Sequence, residues 1–156
     1  MTTLVDPAIS RAIVESEMER SAPIAATFGW LVERDPGGLI VRVGMRSAVD
    51  EQEYLLEAGC DNYKAWPPYL EFIEPGTLAR GSARAYPRGG NGYFHSLPCI
   101  CAPFSRKAYQ TWGGPHGDWS PGDWVRLAPA FSTLGEIFHL VQRLINDTRL
   151  YQGRMG

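Results

Sequence analysis

The sequence predicts an α+β fold in which one helix is followed by an antiparallel sheet and, much later, by a second helix. Three observations carry this prediction. A helix start stands at Asp6-Pro7, a succession of short strand-like segments occupies residues 28–73, and an amphipathic helical stripe runs from Thr133 to Asp147. Consecutive strands without helices between them favour an antiparallel sheet over a parallel sheet built from strand-helix-strand units.

The size and charge of the chain limit the classes of function open to it. A length of 156 residues suits a single domain, residues 1–156, around one core. A net charge of −2 supplies no basic field that would attract nucleic acid. No apolar run approaches the roughly 20 residues of a membrane span, and the N-terminal segment lacks a signal-peptide core. We therefore expect a cytoplasmic protein that binds neither nucleic acid nor membrane.

The first helix begins at Asp6-Pro7, where an acidic N-cap is followed by proline at the first helical position. We predict that it ends near Arg20, before Ser21-Ala22-Pro23. We expect its apolar face to pack on the sheet. That face carries Ile9, Ala12 and Ile13.

Four segments have the pattern of strands. Residues 28–34 and 39–46 are predicted to form two strands, joined by a hairpin turn at Asp35-Pro36-Gly37-Gly38. Residues 53–59 form a third strand and residues 70–73 a short fourth one. The sequence therefore predicts a four-stranded antiparallel meander.

The rest of the chain is predicted to be a long connection and one helix. Residues 74–94 are polar and rich in glycine, which indicates a surface loop, and the Lys-Ser/Thr of a phosphate loop does not follow these glycines. We expect no nucleotide or other cofactor. Thr133 and Glu136 form a capping box that opens the last helix. Its apolar stripe, which we expect to pack on the sheet, is formed by Ile137, Leu140, Val141, Leu144 and Ile145.

Two cysteines separated by one residue are the clearest chemical feature. Cys99 and Cys101 would point to the same side of an extended segment. With His95, His116 or Asp118 they could bind zinc, although structural zinc sites usually show Cys-x₂₋₄-Cys and four clear ligands. A redox pair normally has the spacing Cys-x-x-Cys, and a pair of buried structural thiols is a further alternative.

A nucleophilic cysteine is the fourth alternative. A thiolate attacks an activated acyl group, holds it as a thioester and gives it up to an amine. Cys101 follows the strands in a segment rich in proline and aromatic residues, where a reactive group has access to solvent. We expect no bound metal in this case.

The centre of the chain resembles the ubiquitin-conjugating enzymes. In that family the third strand is followed by Tyr-Pro-x-x-Pro-Pro-x-aliphatic-x-Phe. This chain has the same residue types at the same relative places, except that Lys64 replaces the first proline. The matching residues are Tyr63, Pro67, Pro68, Leu70 and Phe72.

The later landmarks of the family follow in the same order. The family's His-Pro-Asn and aliphatic-Cys-Leu segments are similar to His95-Ser96-Leu97 and Ile100-Cys101-Ala102. Its tryptophan turn is similar to Trp119-Ser120-Pro121, and its crossover helix to residues 133–147, so that the resemblance covers residues 25–147. The resemblance implies a conjugating-enzyme fold with an active-site loop, in which Cys101 accepts the acyl group.

Other site residues follow from the same resemblance. Asp147 lies near the place where a family acid positions the incoming amine. His95 either holds the structure, as the family histidine largely does, or removes a proton from the thiol or the amine. His116 lies in a glycine-rich loop that could fold over Cys101, where a His-Asp pair beside the cysteine would make a site like that of a cysteine hydrolase.

The chain also departs from the family pattern. The asparagine of His-Pro-Asn, which stabilises the oxyanion in the family, is replaced, since Ser96 and Leu97 follow His95. Asn91 is close in sequence but is not at the matching place. The histidine also stands four residues closer to the cysteine than the family's histidine does. These departures indicate a divergent bacterial member, similar to the small conjugating-enzyme-like proteins of antiphage CBASS operons.

The resemblance implies a thioester-forming transferase that acts in antiphage defence. Its donor would be a partner protein that ends in glycine, namely the cyclic-oligonucleotide synthase that accompanies such proteins, and its acceptor a lysine of a protein. A partner would have to activate the donor carboxylate. Two alternatives stay open: a catalytically inactive binding module on the same fold, and a cysteine hydrolase of such conjugates with His95 or His116 as the base.

Overall fold

The protein has the predicted α+β architecture. The computed structural model describes residues 4–112 and 117–156. The first half consists of α1 (Pro7–Phe28), β1 (Leu31–Arg34), β2 (Ile40–Arg46), β3 (Glu53–Gly59) and β4 (Tyr69–Ile73). The second half consists of β5 (Pro87–Gly89), β6 (Phe94–His95), β7 (Cys99–Ile100), α2 (Arg106–Trp112), α3 (Trp124–Leu127), α4 (Leu134–Asn146) and β8 (Tyr151–Arg154).

The strands β1 to β4 form the antiparallel meander that the sequence predicts. Their order in the sheet is their order in the chain. Val43 lies opposite Leu56, and Leu56 lies opposite Phe72, so apolar side chains of three neighbouring strands meet on one face. These side chains are fully buried and belong to the main core. The prediction of a four-stranded antiparallel sheet between an N-terminal and a C-terminal helix is therefore confirmed.

Helix α1 is longer than the sequence predicts. It continues through Pro23 to Phe28, where we expected a helix end near Arg20 and the start of the first strand. A proline inside a helix costs roughly 3 kcal/mol because it lacks an N–H and crowds the preceding turn. The turn beyond Pro23 packs against the core through Ile24, Ala25 and Phe28, which offsets this cost. The helix ends at Gly29, whose φ of 66° suits a left-handed cap.

Helix α4 begins and ends where the sequence predicts. The Thr133 side chain accepts a hydrogen bond from the Glu136 N–H at 3.2 Å, and Asp147 is the C-cap.

We expected α1 to pack on the sheet through Ile9, Ala12 and Ile13, but it lies mainly against α4. Its buried residues are Ser10, Val14, Glu17 and Ser21, whereas Ile9 and Ala12 are exposed. The closest approach involves Gly135, where a methyl group would overlap the hydroxyl of Ser21.

A buried carboxylate joins α1, α4 and the segment after β3. Glu17 is 2% exposed and accepts hydrogen bonds from the Tyr63 hydroxyl at 2.6 Å and the Leu134 N–H at 2.8 Å. The Lys64 ammonium lies 3.0 Å from its second oxygen. Burial, together with the Glu17 charge, raises the pKa of Tyr63 well above its usual range. A negative charge at the N-terminus of α4 is also favourable for the helix dipole.

The segment predicted as a surface loop contains secondary structure that the sequence does not reveal. β5 lies within residues 74–94 and pairs with β8 near the C-terminus. The Gly90 N–H donates to the Leu150 carbonyl at 3.1 Å, and the Met155 N–H donates to the Tyr86 carbonyl at 2.9 Å. Strands this short have no periodic pattern, and their partners lie about 60 residues away along the chain.

Among the described helices, none has the length and apolar character of a membrane span.

Candidate active site around Cys101

A short hairpin positions Cys101. β6 and β7 pair through Phe94 with Ile100 and through His95 with Cys99. The Cys101 N–H donates to the Tyr93 carbonyl at 2.7 Å, which extends the same pairing by one position. Directly opposed residues of antiparallel strands have their side chains on the same face. Tyr93 and Cys101 therefore lie side by side on one face of the hairpin.

The thiol of Cys101 lies in a surface cleft of about 320 Å³. Its side chain is half-buried, so that it remains accessible to solvent. One wall is the Tyr93 ring, which is stacked on Phe104 with the centroids 6.3 Å apart. The other wall is Trp119, whose ring lies 6.5 Å from that of Tyr109. The remaining lining residues are Asn91, Gly92, Ala102 and Pro103.

Two larger clefts occur elsewhere on the described surface. One, of about 610 Å³, lies along α1, and the other, of about 360 Å³, lies on the outer face of the sheet. Neither is lined by a cysteine or a histidine of the described residues. The Cys101 cleft is smaller, but it combines a nucleophilic side chain with aromatic walls, and we therefore take it as the candidate site.

The three cysteines differ in their exposure. Cys60 and Cys99 are buried, whereas Cys101 is not. Burial raises the pKa of the Cys101 thiol above its ordinary value. Burial also raises the pKa of Cys99, although a hydrogen bond with Thr111 and the charge of Lys107 act in the opposite direction. Cys101 is thus the accessible thiol of the chain, and it is present mainly as a thiol at neutral pH.

His95 supports the cleft from the same face of the hairpin. Its Nε2 atom lies 2.8 Å from the Gly92 carbonyl, so that the ring donates to this oxygen in the matching tautomer. The imidazole therefore holds the turn that forms one edge of the cleft.

Two further site residues, Asp147 and His116, were predicted from the sequence. His116 lies outside the described residues. The Asp147 carboxylate accepts hydrogen bonds from the backbone N–H groups of Arg149 at 2.8 Å and Leu150 at 3.0 Å, and these bonds lower its pKa. The Leu150 carbonyl in turn accepts from Gly90. The Asp147 turn therefore lies beside the segment that leads into the cleft wall.

Asn91 is a site residue that the sequence analysis set aside. The structure places it in the lining of the Cys101 cleft. Its φ of 53° is left-handed, a conformation that asparagine adopts more readily than most residues. Asn91 stands four residues before His95, at the distance from the cysteine where the family has its histidine. An alignment that kept the family's spacing from histidine to cysteine, and did not align the two histidines, would have indicated the segment around Asn91.

The zinc alternative lacks a suitable ligand set in the described part of the chain. No group of three or more His, Cys, Asp or Glu side chains that could hold a metal ion occurs within residues 4–112 and 117–156. A tetrahedral zinc site needs four such ligands in structural centres and three in catalytic ones.

No protein-family model matches the chain, and no curated protein matches it either. The functional conclusion below therefore depends on the geometry of the cleft and on the motifs of the sequence.

Proposed function

We propose that the protein is an acyl transferase of the ubiquitin-conjugating type, in which Cys101 carries the C-terminal glycine of a partner protein as a thioester. The observation that carries this proposal is the position of Cys101. The three cysteines all lie in the described part of the chain, and Cys101 alone is accessible. Cys101 lies in a surface cleft, and it comes after the four-stranded antiparallel sheet in the chain. The motif Tyr63 to Phe72 precedes this cleft and the capped helix α4 follows it, as in the family.

The reaction would proceed in two acyl transfers. The Cys101 thiolate attacks the carbonyl carbon of an activated glycine carboxylate, and the activating group leaves with its electron pair as the thioester forms. The amine of an acceptor then attacks the thioester carbonyl, the C–S bond breaks, and Cys101 is released as a thiolate. The proton that the attacking amine loses as the amide forms passes to solvent. Sulfur suits both steps because a thioester stays reactive toward amines.

Asn91 and Tyr93 would stabilise the oxyanion of both steps. Tyr93 lies opposite Cys101 in the hairpin, and Asn91 lines the same cleft. A phenol and an amide are both hydrogen-bond donors, and they would replace the asparagine that the chain lacks beside His95. Removing one oxyanion donor typically lowers the rate by about 10²- to 10³-fold. We expect Asn91→Ala or Tyr93→Phe to slow acyl transfer while the fold is retained.

The biological setting belongs to the same proposal. The resemblance to proteins of antiphage operons supports a cyclic-oligonucleotide synthase as the donor and a lysine of another protein as the acceptor. A partner would supply the activated carboxylate. Attachment of the synthase would prime it for defence against phage.

The decisive experiment compares variants of two neighbouring cysteines. The wild type, Cys101→Ala and Cys99→Ala are each expressed with the neighbouring genes and analysed by intact mass with and without a thiol reductant. We expect a heavier species in the wild type and in Cys99→Ala that collapses with thiol, and none in Cys101→Ala. Its mass identifies the donor. Full conjugating activity in Cys101→Ala would refute the proposal.

A non-catalytic binding module is the second candidate. Burial, which raises the pKa of Cys101, favours it, because a thiol with a raised pKa ionises less readily. In this case Cys101→Ala binds partners normally and leaves the biological output unchanged. The hydrolase alternative makes a different prediction, since addition of the protein would remove a preformed conjugate.

A further inference from the structure

The chain contains very few amines that could attack a thioester. It has 15 lysines and arginines, and the sequence shows that only Lys64 and Lys107 are lysines. A guanidinium stays protonated at every physiological pH and does not act as a nucleophile, whereas a lysine amine does. The lysine side chains of the protein that could attack an acyl group on Cys101 are therefore these two alone, and both lie in the described part of the chain.

Lys64 is held by a carboxylate in the interior. Its ammonium lies 3.0 Å from Glu17, whose side chain is 1% exposed. The other oxygen of Glu17 accepts from Tyr63 and from the first residue of α4. Movement of Lys64 away from this site would leave a buried carboxylate without its cation, which is unfavourable.

Lys107 is held in a similar way, although it lies much closer to the cleft. It stands on α2, six residues after Cys101, and its charge acts on the thiol of Cys99. Its ammonium lies 3.3 Å from Glu71 and 5.9 Å from the centre of the Tyr86 ring. The side chains of Lys107 and Glu71 are only 14% and 10% exposed. This ion pair directs the nearer of the two amines toward the sheet.

We infer that the protein does not transfer an acyl group from Cys101 to its own lysines, and that the acceptor amine is supplied by a different molecule. This inference rests on the proposed function. Two features of the molecule produce the restraint: its positive charge is carried almost entirely by arginine, and its two lysine amines are tied to buried carboxylates. A thioester on Cys101 is therefore protected from attack by these two amines.

A small acyl donor tests the inference without knowledge of the natural one. The full chain is incubated with the thioester of N-acetylglycine and mercaptoethanesulfonate, and adducts are located by peptide mapping. The Cys101 thiolate attacks the carbonyl and mercaptoethanesulfonate leaves. In the wild type we expect an adduct on Cys101 that thiol removes, and its transfer as an amide to added Nα-acetyl-lysine. We expect no thiol-resistant adduct on Lys64 or Lys107 above the level of Cys101→Ala.

Two variants create an unrestrained amine. Glu71→Gln releases Lys107, and Glu71→Gln with Lys107→Arg is its matched control. Arg88→Lys adds an exposed amine on β5, beside the segment that leads to the cleft, and it leaves the buried ion pairs intact. In Glu71→Gln we expect a thiol-resistant adduct on Lys107, and in Arg88→Lys we expect one on residue 88. Each should form about tenfold faster than any such adduct in the wild type, and the matched control should show none on residue 107.

The possible outcomes separate the two proposals. A thiol-resistant adduct on Lys64 or Lys107 of the wild type, formed as fast as in Arg88→Lys, overturns the inference and leaves the thioester mechanism intact. Absence of stable adducts from both amine variants overturns the restraint as the cause, because freed amines would then fail to react as well and the ion pairs would not be what protects the wild type. Absence of any adduct on Cys101 refutes the proposed function, and the inference falls with it.

Discussion

At the scale of single residues, Glu17 joins three segments that are remote from one another in the sequence. Its carboxylate is almost fully buried and still binds a hydroxyl, an ammonium and a backbone N–H. A buried charge is tolerated only when it is paired and hydrogen-bonded, and here every partner comes from a segment remote in sequence. Glu17 thereby fixes Tyr63 against both α1 and α4.

Replacement of Glu17 by alanine should destabilise the protein strongly. We expect a loss of about 3–5 kcal/mol in the free energy of unfolding, because Tyr63, Lys64 and the start of α4 all lose a buried partner. Urea denaturation followed by far-UV circular dichroism measures this loss. Glu19→Ala, at an exposed position of the same helix, is the control and should change stability by less than about 0.5 kcal/mol. Equal losses in the two variants would contradict this role of Glu17.

Cys101 should show a pH dependence that reflects its partial burial. Because burial raises its pKa above the ordinary value of 9.0, the thiolate fraction and the alkylation rate should still be rising at pH 9. Iodoacetamide labelling between pH 7 and pH 10.5, followed by peptide mapping, gives the rate. A short unstructured peptide with one cysteine is the reference and should level off at a lower pH. A plateau for Cys101 at or below that of the peptide would show that its thiolate is stabilised in the protein.

At the scale of secondary structure elements, α1 and α4 pack closely against each other. Ser21 and Gly135 meet at the point of closest approach. The Ser21 hydroxyl donates to the Glu17 carbonyl at 2.6 Å and so remains within its own helix. A glycine inside a helix normally costs about 1 kcal/mol relative to alanine, so its presence at the start of α4 needs a reason, and the proximity of α1 is that reason.

Replacement of Gly135 by alanine should therefore destabilise the protein, against the trend for helices. The new methyl group would overlap the Ser21 hydroxyl and lie 3.1 Å from the Ser21 Cβ. We expect a loss of about 1–3 kcal/mol from overpacking, measured by thermal denaturation. Addition of Ser21→Ala removes the overlapping oxygen and should recover part of the loss. A gain in stability from Gly135→Ala alone would show that the helices are further apart.

At the scale of the whole molecule, one apolar core joins the first helix to the last strand. Val14, Leu56, Phe72, Ile100, Ile137 and Tyr151 all belong to it. The C-terminal strand is bound to the rest of the chain through polar contacts as well, since the Tyr151 hydroxyl lies 2.6 Å from that of Tyr54. The prediction of a single domain over residues 1–156 has a direct consequence for unfolding.

All parts of the molecule should unfold in one transition. Tryptophan fluorescence, far-UV circular dichroism and labelling of the Cys60 thiol should give the same midpoint in urea, because Cys60 is 1% exposed within the common core. Cys101 is the internal control, since it should react at every urea concentration. Labelling of Cys60 well before the loss of circular dichroism would instead indicate that part of the chain unfolds independently.

The sequence alone determined the elements that have strong local signals. The capped amphipathic stripe of α4 and the strand pattern of Glu53–Gly59 fix their own limits, because periodicity and capping act within a few residues. The sequence also singled out Cys101, and the structure places it in an open cleft. The proposed role of this residue stays a prediction from chemistry and from motif order.

Only the tertiary structure decided the features that depend on contacts between distant parts of the chain. α1 passes through Pro23 because its last turn is buried, and β5 exists because β8 pairs with it. The composition of the cleft, in which Trp119 joins Asn91 and Cys101, depends on a contact between segments that no local pattern encodes. The restraint on Lys107 is of the same kind. Burial and pairing energies between remote segments outweigh local preferences at these positions, and they are absent from any short stretch of sequence.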